Sequence, residues 1–71
     1  MGDAELKTFG ENVRKARVAL GISQTELGKR ARLTQPKVSE IEAGVRELEM
    51  KTMSRLAKAL GTTVHQLFAP N

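Results

Sequence analysis

Residues 24–43 read QTELGKRARLTQPKVSEIEA, and this stretch decides the fold. Leu27 with Ala31, and Val38 with Ile41, fall at the three- and four-residue spacings that put side chains on one face of a helix. Ser23 stands ahead of the first pair as an N-cap, and Glu26 completes a capping box. Ile22 before the cap can staple onto Leu27. That helix runs through about Ala31. Thr34 can cap the next helix, with Leu33 and Val38 as its staple and Pro36 in the first turn, where a missing N–H is harmless. In the alternative register Gln35 is the cap and Pro36 takes the favoured first position. Gly44 closes this helix. Gly28 is small where the two helices cross, so their backbones can approach.

Outward from this segment the helical period continues. Leu6, Phe9, Val13, Arg17 and Leu20 form one stripe with Ala16 beside it, which predicts a helix over roughly Ala4 to Leu20 that stops at Gly21. Gly10 weakens its early part slightly. Met50, Met53, Leu56, Ala57 and Leu60 mark another helix, ending at Gly61, with Glu49 as a weak cap. Thr63 and Gln66 make a second capping box for a short helix through Phe68, which Pro70 ends. Alternating β-branched runs of strand length are missing. The expectation is a compact all-α domain of five helices spanning 1–71.

Composition narrows the function classes. Twelve Lys+Arg against eight Asp+Glu give +4 in 71 residues, a balance that favours polyanions, nucleic acid first among them. The only aromatics are Phe9 and Phe68, too few for a reader that stacks single-stranded bases. There is no cysteine and a single histidine, His65, so no metal ligand set is expected. Met1 to Glu5 lack the basic and apolar regions of a signal peptide. Leu6 stands where a myristoylation motif needs Ser or Thr. No apolar run approaches membrane length. A cytoplasmic location follows as an expectation, with no membrane and no small-molecule substrate. Paired carboxylates, an activated serine and a phosphate-cradling glycine loop are all missing, so neither an enzyme nor a cofactor is expected.

Two short capped helices joined by a three- or four-residue turn meet the requirement of a helix-turn-helix over about 24–43. The outward face of its second helix reads Gln35, Pro36, Lys37, Ser39, Glu40 and Ala43, and its first turn can reach base edges. Here the chain resembles the helix-turn-helix family of lambdoid phage repressors and Cro proteins, the XRE family. The resemblance rests on Gly21-Ile22-Ser23-Gln24-Thr25-Glu26-Leu27, on Val38-Ser39-Glu40-Ile41-Glu42-Ala43-Gly44 and on Leu56-Ala57-Lys58-Ala59-Leu60-Gly61, and it extends from about Leu6 to Phe68. It implies a lambda-repressor-like fold and double-stranded DNA as partner.

The resemblance also implies residue roles. Gln24 would bond a phosphate and brace Gln35. Gln35 would read adenine N6 and N7. Pro36 would make only apolar contact, for instance with a thymine methyl. Glu40 would favour cytosine N4, and Lys37 would reach a phosphate or guanine. Ser23 and Ser39 are candidate phosphate or base contacts, and Arg46 would reach a flanking phosphate or the minor groove. Arg17 and Glu42 would form a partly buried ion pair. Four positions depart from the family pattern. Arg32 stands where glycine is usual, at a left-handed residue; Ala43 replaces a common asparagine; Glu47 and Glu49 follow Arg46.

Glu40 reads two ways, as a specificity element or as a sign that this helix does not read DNA; the basic background favours specificity. Lys29, Arg30, Lys51, Arg55, Lys58, Arg14 and Lys15 read as solvated helix faces. Met50 and Met53 read first as core, and also as the edge of a dimer patch with Val64, Leu67 and Phe68. The leading functional expectation is a repressor that binds a pseudo-palindromic operator as a homodimer, with half-site centres about 34–36 Å apart. An antitoxin or a restriction–modification controller would use the same domain. A helical protein–protein adaptor is the rival from another class, given weight by the three acids Glu40, Glu47 and Glu49.

Overall fold

Hydroxyl caps start three of the helices that the computed structural model shows over the described residues, 2–70. Met1, which heads the leader and lipidation patterns weighed above, and Asn71 lie outside them. The helices are α1 (Asp3–Ala19), α2 (Gln24–Ala31), α3 (Gln35–Ala43), α4 (Met50–Leu60) and α5 (Val64–Leu67). Ser23 Oγ accepts from the Glu26 amide at 3.0 Å, Thr34 Oγ1 from Lys37 at 3.3 Å and Thr63 Oγ1 from Gln66 at 3.1 Å. Thr34 is therefore the cap of α3, and Gln35 opens the helix ahead of Pro36. The return half of the α2 capping box does not form, because the Glu26 carboxylate takes Arg30 one turn on, at 3.0 Å. Glu5 makes such a return contact at α1, accepting from the Gly2 amide at 2.7 Å.

The apolar stripes meet in one core of Phe9, Val13, Leu27, Ala31, Val38, Ile41, Met53, Leu56, Ala57, Leu60 and Leu67. α1 packs on α3, α4 and α5, while α2 packs on α3 and α4. Phe9 lies against Phe68 with ring centroids 4.9 Å apart, a spacing favourable for tilted aromatic pairs. Asn12 ties the chain's end to this body by donating to the carbonyls of Leu67 and Ala69, each at 2.8 Å.

Two residues expected in the core are exposed. Leu20 is the C-cap of α1 and 49% exposed, because the helix stops at Ala19 and no neighbour reaches past its end. Met50 is 66% exposed. It is the first residue of α4, where a side chain leaning back toward the N-terminus passes beyond the helix and covers nothing. Met53, Leu67, Val64 and Phe68, expected to edge a dimer patch, are buried in or packed against the core.

Gly10 proves to be a structural requirement and not merely a weak helix residue. A Cβ there would lie 2.2 Å from the carbonyl oxygen of Ile41 and 2.8 Å from that of Glu42. The bare face of Gly10 is where α1 crosses the last turn of α3. Gly28 is small for a different reason than helix crossing: its Cβ would meet the Leu33 carbonyl oxygen at 2.4 Å, so the turn folds back over it. The Leu33 amide bonds the Gly28 carbonyl at 2.7 Å and fixes that turn.

Arg32 ends α2 in the left-handed conformation, φ 61 and ψ 44, a geometry that costs a side-chain-bearing residue about 1–2 kcal/mol. Arg32→Gly should therefore raise the unfolding free energy by about 1 kcal/mol, the looser unfolded chain of the glycine variant offsetting part of the relief. Urea denaturation midpoints of the two proteins measure this, and an unchanged or lower midpoint would count against strain at Arg32.

Candidate nucleic-acid interface

The short turn of residues 32–34 sets α3 across α2, with Val38 and Ile41 turned inward and fully buried. The opposite face is presented outward. Gln35, Pro36 and Ser39 are exposed, and Lys37 and Glu40 half-buried. Ser23 is exposed at the head of α2 beside half-buried Gln24. The sequence placed these residues on one surface, and the structure brings Gln24 and Gln35 into direct contact.

That contact ends a chain of hydrogen bonds that begins in the interior. Arg17 Nε donates to Glu42 Oε2 at 2.6 Å and Arg17 Nη2 to Glu42 Oε1 at 3.1 Å, a two-pronged pair with side chains only 14% and 4% exposed. Arg17 Nη1 also donates to the Ile22 carbonyl at 2.9 Å, tying the α1–α2 connection to the same guanidinium. Glu42 Oε1 accepts further from Gln24 Nε2 at 3.1 Å, and Gln24 Oε1 accepts from Gln35 Nε2 at 2.8 Å.

The chemistry of the donors dictates the direction of this relay. A carboxylate only accepts, so Gln24 must turn its nitrogen to Glu42. Its oxygen then faces Gln35, which must answer with its own nitrogen. One N–H and the Oε1 acceptor of Gln35 are left to point outward. The family resemblance implied the pair and the Gln24–Gln35 brace separately; the link between them through Glu42 was missed, because 18 residues separate Gln24 from Glu42 and no spacing rule covers a contact between helices. The hydrogen bond to Glu42, helped by its charge, raises the Arg17 pKa above the ordinary arginine value against the opposing pull of burial. Stability from a raised pKa is fully present below the ordinary value and lost only as pH climbs through the raised one, so this contribution is complete at neutral pH.

Arg46 is not an unengaged cation. Its Nε lies 3.0 Å from Glu40 Oε1 and its Nη2 3.3 Å from Oε2, with side chains 57% and 38% exposed. The acid that α3 presents thus carries its own counter-charge, held by the α3–α4 connection. A second contact missed from sequence is Arg55 Nε, which donates to the Ala31 carbonyl at 3.0 Å and closes the end of α2 onto α4. Among the described residues no group of His, Cys, Asp or Glu could hold a metal ion, and no helix is long and apolar enough to cross a membrane.

A helix-turn-helix family profile matches residues 13–67. The chain belongs to this family. Solved structures agree on the fold. The restriction-modification controller protein C.AhdI from Aeromonas hydrophila matches at 33% identity and TM-score 0.85, over 90% of this chain and 97% of that one. A hypothetical transcription factor, NHTF, from Neisseria matches at 28% identity and TM-score 0.89, over 99% and 82%. The clp gene regulator ClgR from Corynebacterium glutamicum matches at 26% identity and TM-score 0.83, over 87% and 66%. No curated protein matches by sequence. The five-helix, lambda-repressor-like fold and the XRE-type resemblance expected from the motifs are thereby established, and this helix-turn-helix protein is by class a DNA-binding transcriptional regulator.

Proposed function

We propose that the protein is a cytoplasmic, non-enzymatic repressor that binds a pseudo-palindromic operator as a homodimer, reading bases with the leading end of α3. The helices over 1–71 act as one DNA-binding domain. The observation that carries this reading is the Gln24–Gln35 relay. It leaves Gln35 with one donor and one acceptor outward, the complement of adenine N7 and N6, whereas guanine offers two acceptors in the major groove. Pro36 sits beside it as an apolar contact, and Lys37, Ser39 and Ser23 face the same side for phosphates or base edges. Gln24 has a second role at a phosphate. Glu40 meets a cytosine amine once Arg46 moves to a phosphate, an exchange that keeps both charges partnered.

Selection of duplexes from a random pool tests the proposal. The expected product is a site of two inverted halves about 34–36 Å apart or a multiple of that spacing, with adenine favoured at one position per half. Gln35→Ala should flatten preference at that one pair, costing about 1–3 kcal/mol of discrimination, and leave the others intact. An equal loss on every sequence would remove the base-reading role, and a single unrepeated half-site would remove the dimer.

A narrower second reading is favoured by the likeness to C.AhdI, whose chain this one covers almost end to end. The protein would then control restriction–modification genes. Finding the selected site upstream of such genes would support that; finding it elsewhere would return the general repressor.

A further inference from the structure

Between α2, α4 and the turn that follows α2 lies a concave groove of about 510 Å³ lined by Arg30, Arg32, Arg55, Lys58 and Ala59. Three of its cations are arginines. Arg55 spends Nε on the Ala31 carbonyl. Arg30 spends Nε on Glu26, the carboxylate that faces it from its own helix. Arg32 and Lys58 are exposed, and their side chains have no partner among the described residues. Arg32 also holds a left-handed backbone that glycine would adopt without strain, so a guanidinium is kept at this rim against local preference. A strained residue in a concave, single-sign site is a physical pointer to a ligand.

We propose that this groove docks a carboxylate-rich segment of a partner protein. Guanidinium groups pair with carboxylates through two parallel hydrogen bonds, and the groove offers three guanidinium groups, two with Nε already engaged, and one ammonium. Its position argues against the duplex read by α3. α4, which supplies Arg55 and Lys58, packs on α2, α1 and α5, whereas α3 packs on α1 and α2. α2, about 10 Å across, thus stands between the α4 wall of the groove, Arg55 and Lys58, and the base-reading helix, while Arg32 lies at the rim in the turn that leads into α3. An acidic segment seated there leaves α3 free, so the protein can hold DNA and a partner together.

The test is fluorescence anisotropy of a labelled oligoglutamate peptide of about ten residues against the full chain. Arg32→Gly serves as the main variant because it removes a cation while relieving strain, so folding is not at risk. Lys58→Gln is compared with Lys51→Gln, which neutralises an exposed lysine of the same helix outside the groove. Arg32→Gly and Lys58→Gln should each weaken the peptide about tenfold, with Lys51→Gln near the parent and duplex affinity the same in all three. Peptide and duplex should bind simultaneously. Absent peptide binding, or equal losses at Lys51 and Lys58, overturns the groove as a site. Parallel losses of duplex affinity at Arg32 and Lys58 overturn it as well, because the cations would then lie on the DNA phosphate path.

Discussion

Arg17→Met is expected to lower the unfolding free energy by about 3–5 kcal/mol, on the order of half the stability of a domain this size, about 4–10 kcal/mol. The Glu42 side chain is 4% exposed, and the substitution leaves its carboxylate buried with only the Gln24 amide as a hydrogen-bond partner among the described residues. The Ile22 carbonyl loses a donor at the same time. Removing both charges is expected to be milder: Arg17→Met with Glu42→Leu should recover a large part of the loss, since burying two apolar groups avoids the uncompensated charge. Urea melts of the single and double variants give the comparison. A single variant with the parent midpoint would mean that the pair contributes nothing. The double variant should also lose adenine preference at the first operator position, because Gln24 no longer has a carboxylate to fix its orientation.

Gly10→Ala is expected to cost about 3 kcal/mol, at the upper end of overpacking, although alanine is the better helix former by about 1 kcal/mol. Its added methyl meets two backbone carbonyls, of Ile41 and Glu42, and backbone cannot swing aside as a side chain can. α1 must lift from α3, and the Arg17–Glu42 pair spans that seam. The same change at Gly61, where a Cβ would meet nothing within 4 Å, provides a comparison in which only the left-handed backbone is strained. Thermal unfolding measures both. An unchanged melting temperature for Gly10→Ala would show that the helices have room to separate.

The helices were legible because their signals are local. Caps at Ser23, Thr34 and Thr63 and stops at Gly21, Gly44 and Gly61 act within one or two turns, and apolar spacing marks each buried face. The left-handed residue at Arg32 had no local sign and was expected only through the family resemblance, which puts glycine there. Leu20 and Met50 misled because periodicity says which side a residue faces and not whether a neighbour covers that side at a helix end. Gly10 carried a usable sign: it falls in the inward stripe between Leu6 and Val13, where a bare residue marks a close approach and not merely a weak helix. The Arg46–Glu40 and Arg55–Ala31 contacts had no such sign, since the first depends on the path of the connection after α3 and the second on how α4 is angled to α2.

The fixed orientation of Gln24, which donates to the same carboxylate that Arg17 holds, has a bearing on retargeting the protein. Whatever side chain replaces Gln35 meets the carbonyl oxygen of Gln24, aimed at it by a residue in the interior. Serine, lysine or arginine can accept that orientation, because each brings a hydrogen. Aspartate or glutamate would press lone pairs against lone pairs. The repertoire of readable first bases is therefore restricted by position 42, and a designer who wants an acidic reader there must recode the inside of the molecule along with its surface.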